Sequence, residues 1–135
     1  MRTSLVTIIF LLAVTTASAQ FVIDSHFQPL SYEELMLAAQ AKAARDAYNQ
    51  QRFEEYQDKA YAALNRGDRG EFITYSNYAL QTGWYNAKLY YDRGKAFQYL
   101  NDYKSAKKEY KKAKKKGYYQ AESALQELKL LRKRR

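Results

Sequence analysis

Two stretches of this chain match each other 34 residues apart. Residues 79–87 read Ala-Leu-Gln-Thr-Gly-Trp-Tyr-Asn-Ala, and residues 113–121 read Ala-Lys-Lys-Lys-Gly-Tyr-Tyr-Gln-Ala. Ala79 pairs with Ala113, Gly83 with Gly117, Trp84 with Tyr118, Tyr85 with Tyr119, Asn86 with Gln120 and Ala87 with Ala121. A period of 34 is that of stacked helix-turn-helix units, none of which buries its apolar face alone. The expected fold class is therefore all-α, a short helical solenoid. The functional question becomes what the chain holds rather than what it converts.

The first residues stand apart from that pattern. Arg2 is followed by an apolar run over residues 5–14, broken only by Thr7, and then by Ala17-Ser18-Ala19-Gln20. A basic start, a short apolar stretch and small residues at the two positions read by a signal peptidase predict a secretory signal peptide over 1–19, cleaved between Ala19 and Gln20. The competing reading is an uncleaved anchor, but the run falls short of the about 20 residues a bilayer needs. The expected localisation is export, periplasmic or secreted. The chain has no Cys, which excludes a disulfide framework, a thiolate metal site and a Cys nucleophile.

Residues 20–30 are predicted to form an extended arm. Leu30-Ser31-Tyr32-Glu33-Glu34-Leu35 then carries a helix-start signature: Ser31 and Glu34 in capping-box spacing, with Leu30 and Leu35 placed as a hydrophobic staple. Neither Gly nor Pro follows until Gly67. This predicts one long helix over 32–64, or two nearly collinear ones with a weak point near 49–52. Asn65-Arg66-Gly67-Asp68-Arg69-Gly70 reads as a turn. Further helices are expected over 71–81, 87–100, 103–116 and 121–132, with Gly83 and Gly117 as left-handed C-terminal stops.

Residues 87–120 resemble a tetratricopeptide repeat (TPR). Tyr90, Gly94 and Phe97 in the first helix, with Ala106, Tyr110 and Ala113 in the second, stand at the spacing of that family. Residues 53–86 resemble a weaker copy, with Tyr56, Ala60, Ala79 and Trp84 in register and Phe72 where the family has a small residue. Neither repeat is followed by the family's Pro. Residues 121–135 resemble the first helix of a further repeat, acting as a cap. The resemblance implies a small exported bacterial protein of this type, one helical domain over 31–135. Its implied function is a non-catalytic scaffold or adaptor for protein–protein interaction.

In that family one face of each repeat's first helix lines a groove for an extended peptide or a partner helix. Carried over by register, the groove residues are Gln57, Tyr61 and Asn65, then Lys88, Tyr91, Lys95, Gln98 and Tyr99, and from the cap Leu125, Lys129, Arg132 and Lys133. A lining of Tyr and Lys suits a protein or peptide partner with acidic character. The family's carboxylate-clamping set is not reproduced, because Gln57 and Tyr61 stand where Lys and Asn are wanted. Most of the fourteen Tyr fall at packing positions and are expected to serve the core.

A second candidate surface is basic. Residues 102–135 carry thirteen Lys and Arg against four carboxylates, whereas residues 20–101 carry nine bases and ten acids. Lys104, Lys107, Lys108, Lys111, Lys112 and Lys115 are predicted to wrap the outer side of one helix whose inner side is Tyr103, Ala106, Tyr110 and Ala113. Such a face binds anionic surfaces by counterion release, so an anionic membrane surface, lipopolysaccharide or acidic glycan is the alternative ligand. Export argues against nucleic acid. The plain alternative is a solvated face that binds nothing. Self-association is a third possibility, since the end of so short a solenoid leaves apolar surface uncovered.

Catalysis finds little support. His26 is the one histidine, and no Gly-rich phosphate loop, metal-binding His pair or acid cluster accompanies it. Glu33-Glu34 and Glu54-Glu55 are sequence neighbours and point apart on a helix. No catalytic residue, metal or cofactor is expected.

Overall fold

The computed structural model describes residues 29–133, with side chains as far as Leu131. The predicted signal peptide, its cleavage site and most of the predicted arm lie outside the described residues, as do the side chains of Arg132 and Lys133. The described chain is all-helical. In order it forms α1 (Tyr32–Asn65), α2 (Arg69–Gln81), α3 (Ala87–Tyr99), α4 (Tyr103–Lys115) and α5 (Gln120–Lys133). The described residues fall into two units, divided between Lys42 and Ala43, and α1 contributes to both.

In the first unit the capping box at the start of α1 is formed. The Ser31 N–H donates to Glu34 Oε2 at 2.7 Å, and the Glu34 N–H donates to Ser31 Oγ at 3.3 Å. Every described side chain of this unit is exposed.

The second unit is organised by turns that recur. Left-handed residues end the helices at Gly67 (φ 84°), Gly83 (φ 87°), Asn101 (φ 62°) and Gly117 (φ 87°). The first and third are 34 residues apart, and so are the second and fourth. At 67, 101 and 117 the following N–H closes back onto the carbonyl five residues earlier: Asp68 to Ala63, Asp102 to Phe97 and Tyr118 to Ala113, at 2.9–3.0 Å. Asn is the non-glycine residue that best tolerates this region, which is why position 101 needs no Gly. The next helices are capped by Asp68, Asn86 and Asp102, which accept from the N–H groups of Glu71, Lys88 and Ser105.

Two apolar clusters fill the unit. Phe53, Ala60 and Ala63 of α1 gather with Phe72 and Ala79 of α2 and with Leu89 and Ala96 of α3. Ala106 and Tyr110 of α4 gather with Ala124 and Leu128 of α5, with Tyr91, Phe97 and Tyr103 packed against them. Gly94 lies against the Tyr110 ring: a Cβ there would lie 2.5 Å from both Cδ1 and Cε1 of Tyr110. The buried positions repeat as the turns do. Ala60 corresponds to Gly94, Phe72 to Ala106, Ser76 to Tyr110 and Ala79 to Ala113, and all eight are buried.

Candidate functional site

α3 carries the expected groove residues on one face. Lys88, Tyr91, Asp92, Lys95 and Tyr99 follow the helical repeat of three to four residues. Asp92 is 9% exposed and is satisfied from two sides. Tyr61 Oη donates to Asp92 Oδ2 at 2.9 Å, and Lys88 Nζ lies 2.6 Å from the same oxygen. Burial, and then the Asp92 carboxylate, push the Tyr61 hydroxyl above its ordinary value. Tyr61 and Lys88 therefore anchor one another through Asp92, a residue that register alone did not single out.

Two cavities open beside this face. One, of about 340 Å³, is walled by Tyr91, Tyr99, Tyr103 and Tyr110, with Lys95 and Gln98 from α3 and Ala124, Glu127 and Leu131 from α5. The other, of about 350 Å³, is walled by Leu64, Arg69, Asp92, Ala96, Lys95 and Tyr99. Lys95 and Tyr99 line both, so the two cavities adjoin at that pair, and together they are called the tyrosine trough. Tyr99 is 66% exposed, with the Arg69 guanidinium 3.4 Å from its ring centroid. Tyr91 is held between Tyr118, at 4.8 Å between centroids, and Tyr110, at 5.6 Å. Burial raises the Tyr91 hydroxyl as well.

The structure thus brings Tyr61, Lys88, Tyr91, Lys95 and Tyr99 together. Lys129 does not join them. It lines a separate cavity of about 730 Å³ between α4 and α5, with Lys107, Lys111, Glu122, Leu125, Gln126 and Leu128. From α5 the tyrosine trough receives Glu127 and Leu131 instead. The trough is consequently less basic than a Tyr/Lys lining implies: Asp92 offsets Lys88, and Glu127 faces the cavity that Lys95 lines.

The basic face is also subdivided. Lys104, Lys107, Lys108, Lys111 and Lys115 are exposed along α4, while Lys112 is half-buried. Lys107 and Lys111 face α5, whereas Lys108 and Lys112 line a cavity of about 560 Å³ toward α2 and α3. Lys112 Nζ lies 2.9 Å from Glu109 Oε1 and 5.4 Å from the Tyr90 ring centroid.

That last cavity contains a feature absent from the sequence reading. Arg93 and Glu109 are 7% and 4% exposed, and Arg93 Nη1 lies 3.6 Å from Glu109 Oε2. Arg93 Nη2 donates to Asn77 Oδ1 at 2.7 Å, tying α2 to α3. Arg93 Nε and Glu109 Oε2 make no hydrogen bond. Burial lowers the Arg93 guanidinium, and Glu109 counters that shift. The available signal was Glu109 itself, the one carboxylate among the lysines of residues 104–116.

Among the described residues, no group of three or more His, Cys, Asp or Glu is placed to hold a metal ion, and no helix is long and apolar enough to cross a membrane. Comparison with protein-family models, curated proteins and solved structures returns no match to this chain.

Proposed function

We propose that this chain is an exported, non-catalytic interaction scaffold of tetratricopeptide-like construction, which seats a segment of another protein in the tyrosine trough of α3. The repeat reading draws support from the recurrence of left-handed turns and buried positions at 34 residues. The functional reading rests on one observation: four tyrosines converge on a single cavity of about 340 Å³ beside an exposed Lys95. Tyr gives large, rigid contact area with a polar tip, the composition enriched where proteins meet. Such a surface grips proline and aliphatic side chains, while Lys95 and Arg69 offer charge to a flanking carboxylate.

Tyr99 is the working probe, because it is exposed and supports no buried ring. Tyr99→Ala combined with Lys95→Ala leaves the helical signal intact and abolishes partner capture from the host's envelope fraction, since truncated aromatic anchors cost about 2 kcal/mol or more. Capture by the trough persists between about 50 and 200 mM salt. Undiminished capture by the double variant refutes the trough.

A second reading places the activity on α4, where five exposed lysines share one helix face. In that case Lys104, Lys107, Lys108 and Lys111 changed together to Gln abolish binding to anionic vesicles, the trough variant is silent, and affinity falls by orders of magnitude over the same salt range. Export carries its own check. The intact mass of protein from the native host should correspond to a chain beginning at Gln20; retention of residues 1–19 refutes the signal peptide and the localisation together.

A further inference from the structure

A cavity of about 730 Å³ lies between α4 and α5, apart from the tyrosine trough. Its floor is Leu125 and Leu128, and its walls are the stems of Lys107, Lys111 and Lys129. The one carboxylate in its lining, Glu122, is already paired with Lys114. The site is thus a slot with leucines at its base and a positive rim.

The opposite character stands at the start of α1. Over residues 29–41 the sequence is Pro-Leu-Ser-Tyr-Glu-Glu-Leu-Met-Leu-Ala-Ala-Gln-Ala, with two carboxylates and no base. Leu30, Tyr32, Leu35, Met36 and Leu37 are all exposed, Leu37 to 65%. A helix start that shows so many large apolar side chains to water marks a surface awaiting a partner. The formed capping box fixes its first turn, so docking it requires no new helix nucleation.

We propose that the first turns of α1 from a second copy of this chain occupy the α4–α5 slot. Met36 and Leu37 supply the apolar contact, and Glu33, one turn before them on the same face, faces Lys107, Lys111 and Lys129. The two patches differ, so the contact is heterologous: copies join head to tail into a chain or a closed ring, a reciprocal pair being the smallest ring. This interface is separate from partner capture in the trough, so either can fail without the other.

The test is the mass of the purified protein by light scattering and sedimentation over a wide range of concentration. The wild-type chain associates. Lys107→Glu with Lys111→Glu, and separately Glu33→Lys, each place like charges against one another and weaken association by roughly a hundredfold. Mixing the two variants restores it, because each then offers the patch that the other lacks. Met36→Asp with Leu37→Asp alters exposed positions only, keeps the helical signal and also abolishes association. A single monomeric mass at every concentration overturns the proposal. So does association that survives the charge changes, or a mixture that stays monomeric.

Discussion

Replacing Gly94 by Ala should destabilise this protein, although helix propensity alone predicts the opposite. In an exposed helix interior the change gains about 1 kcal/mol. Here the new methyl would meet Tyr110 Cδ1 and Cε1, both at 2.5 Å, about 1 Å inside normal carbon contact. The ring is held in place. Its hydroxyl donates to Gln98 Oε1 at 2.7 Å, Tyr91 packs on it, and it is 1% exposed. Overpacking of this kind costs about 1–3 kcal/mol, and a pinned ring belongs at the upper end. The net loss is then about 1–2 kcal/mol, a fall in Tm of about 4–12 °C for a domain of this size. Thermal unfolding followed by circular dichroism measures it directly. The residues 34 positions earlier supply the rescue, because Ala60, Phe72 and Ser76 stand there in place of Gly94, Ala106 and Tyr110. Adding Ala106→Phe and Tyr110→Ser to Gly94→Ala removes the clash and returns the aromatic one turn away. The triple variant should therefore be more stable than Gly94→Ala alone. A rise in Tm for Gly94→Ala would refute the packing argument and the repeat register built on it.

Two further perturbations read the polar structure. Glu109→Gln leaves Arg93 buried without its carboxylate and should cost about 3 kcal/mol by urea unfolding, the low end for a broken buried pair because Asn77 still accepts from Arg93. Arg93→Met with Glu109→Met removes both charges and should be milder than Glu109→Gln; a double variant worse than the single would refute the account. Hydrogen bonds at helix starts hold two carboxyls below their ordinary values: Asp102 through Ser105, and Glu34 through the Ser31 backbone N–H and then its hydroxyl. A depressed folded value means that the stabilisation is present above the unfolded value, near pH 4, and is lost as pH falls through the folded value. Asp102→Asn keeps a capping oxygen but no titration, so its stability should fall less steeply with acid below about pH 4 than that of the wild type.

The helices were legible because their boundaries are written in local chemistry. Gly83, Gly117 and the Ser31–Glu34 box each specify a backbone conformation within a few residues, and all three appear as expected. The weak point near 49–52 does not appear, since α1 runs unbroken through it. Asn49 and Arg52 carry no helix-breaking chemistry, and Arg52 Nη1 and Nη2 donate to the Tyr48 and Tyr56 hydroxyls on neighbouring turns. The trough was legible only in part. Register gathers residues of one helix, so Lys88, Tyr91, Lys95 and Tyr99 fell together. It could not say which face of α5 meets α3, and so it offered Lys129 where Glu127 and Leu131 stand. Asp92, Arg93 and Glu109 were missed because charged residues are read as surface unless their partners are known. Each partner here comes from another helix or from an adjacent turn.

The two helix pairs match at their turns but differ at their buried positions. At the buried positions of α1 and α2 the residues are Ala60, Phe72 and Ser76; at the corresponding positions of α3 and α4 they are Gly94, Ala106 and Tyr110. Identity at all three is lost, yet each set holds one aromatic and two small residues. The aromatic has moved one helical turn along the second helix, from the place of Phe72 to that of Tyr110. The small residue beneath Tyr110 has shrunk from the Ala of position 60 to Gly94, where the ring now needs the space of a Cβ. Cores tolerate this exchange because they conserve total volume and patterning rather than individual residues. What survives at an interval of 34 is whatever volume exchange cannot replace: the left-handed residue that ends a helix, the side-chain oxygen that starts the next, and Ala79 and Ala113, buried in both copies.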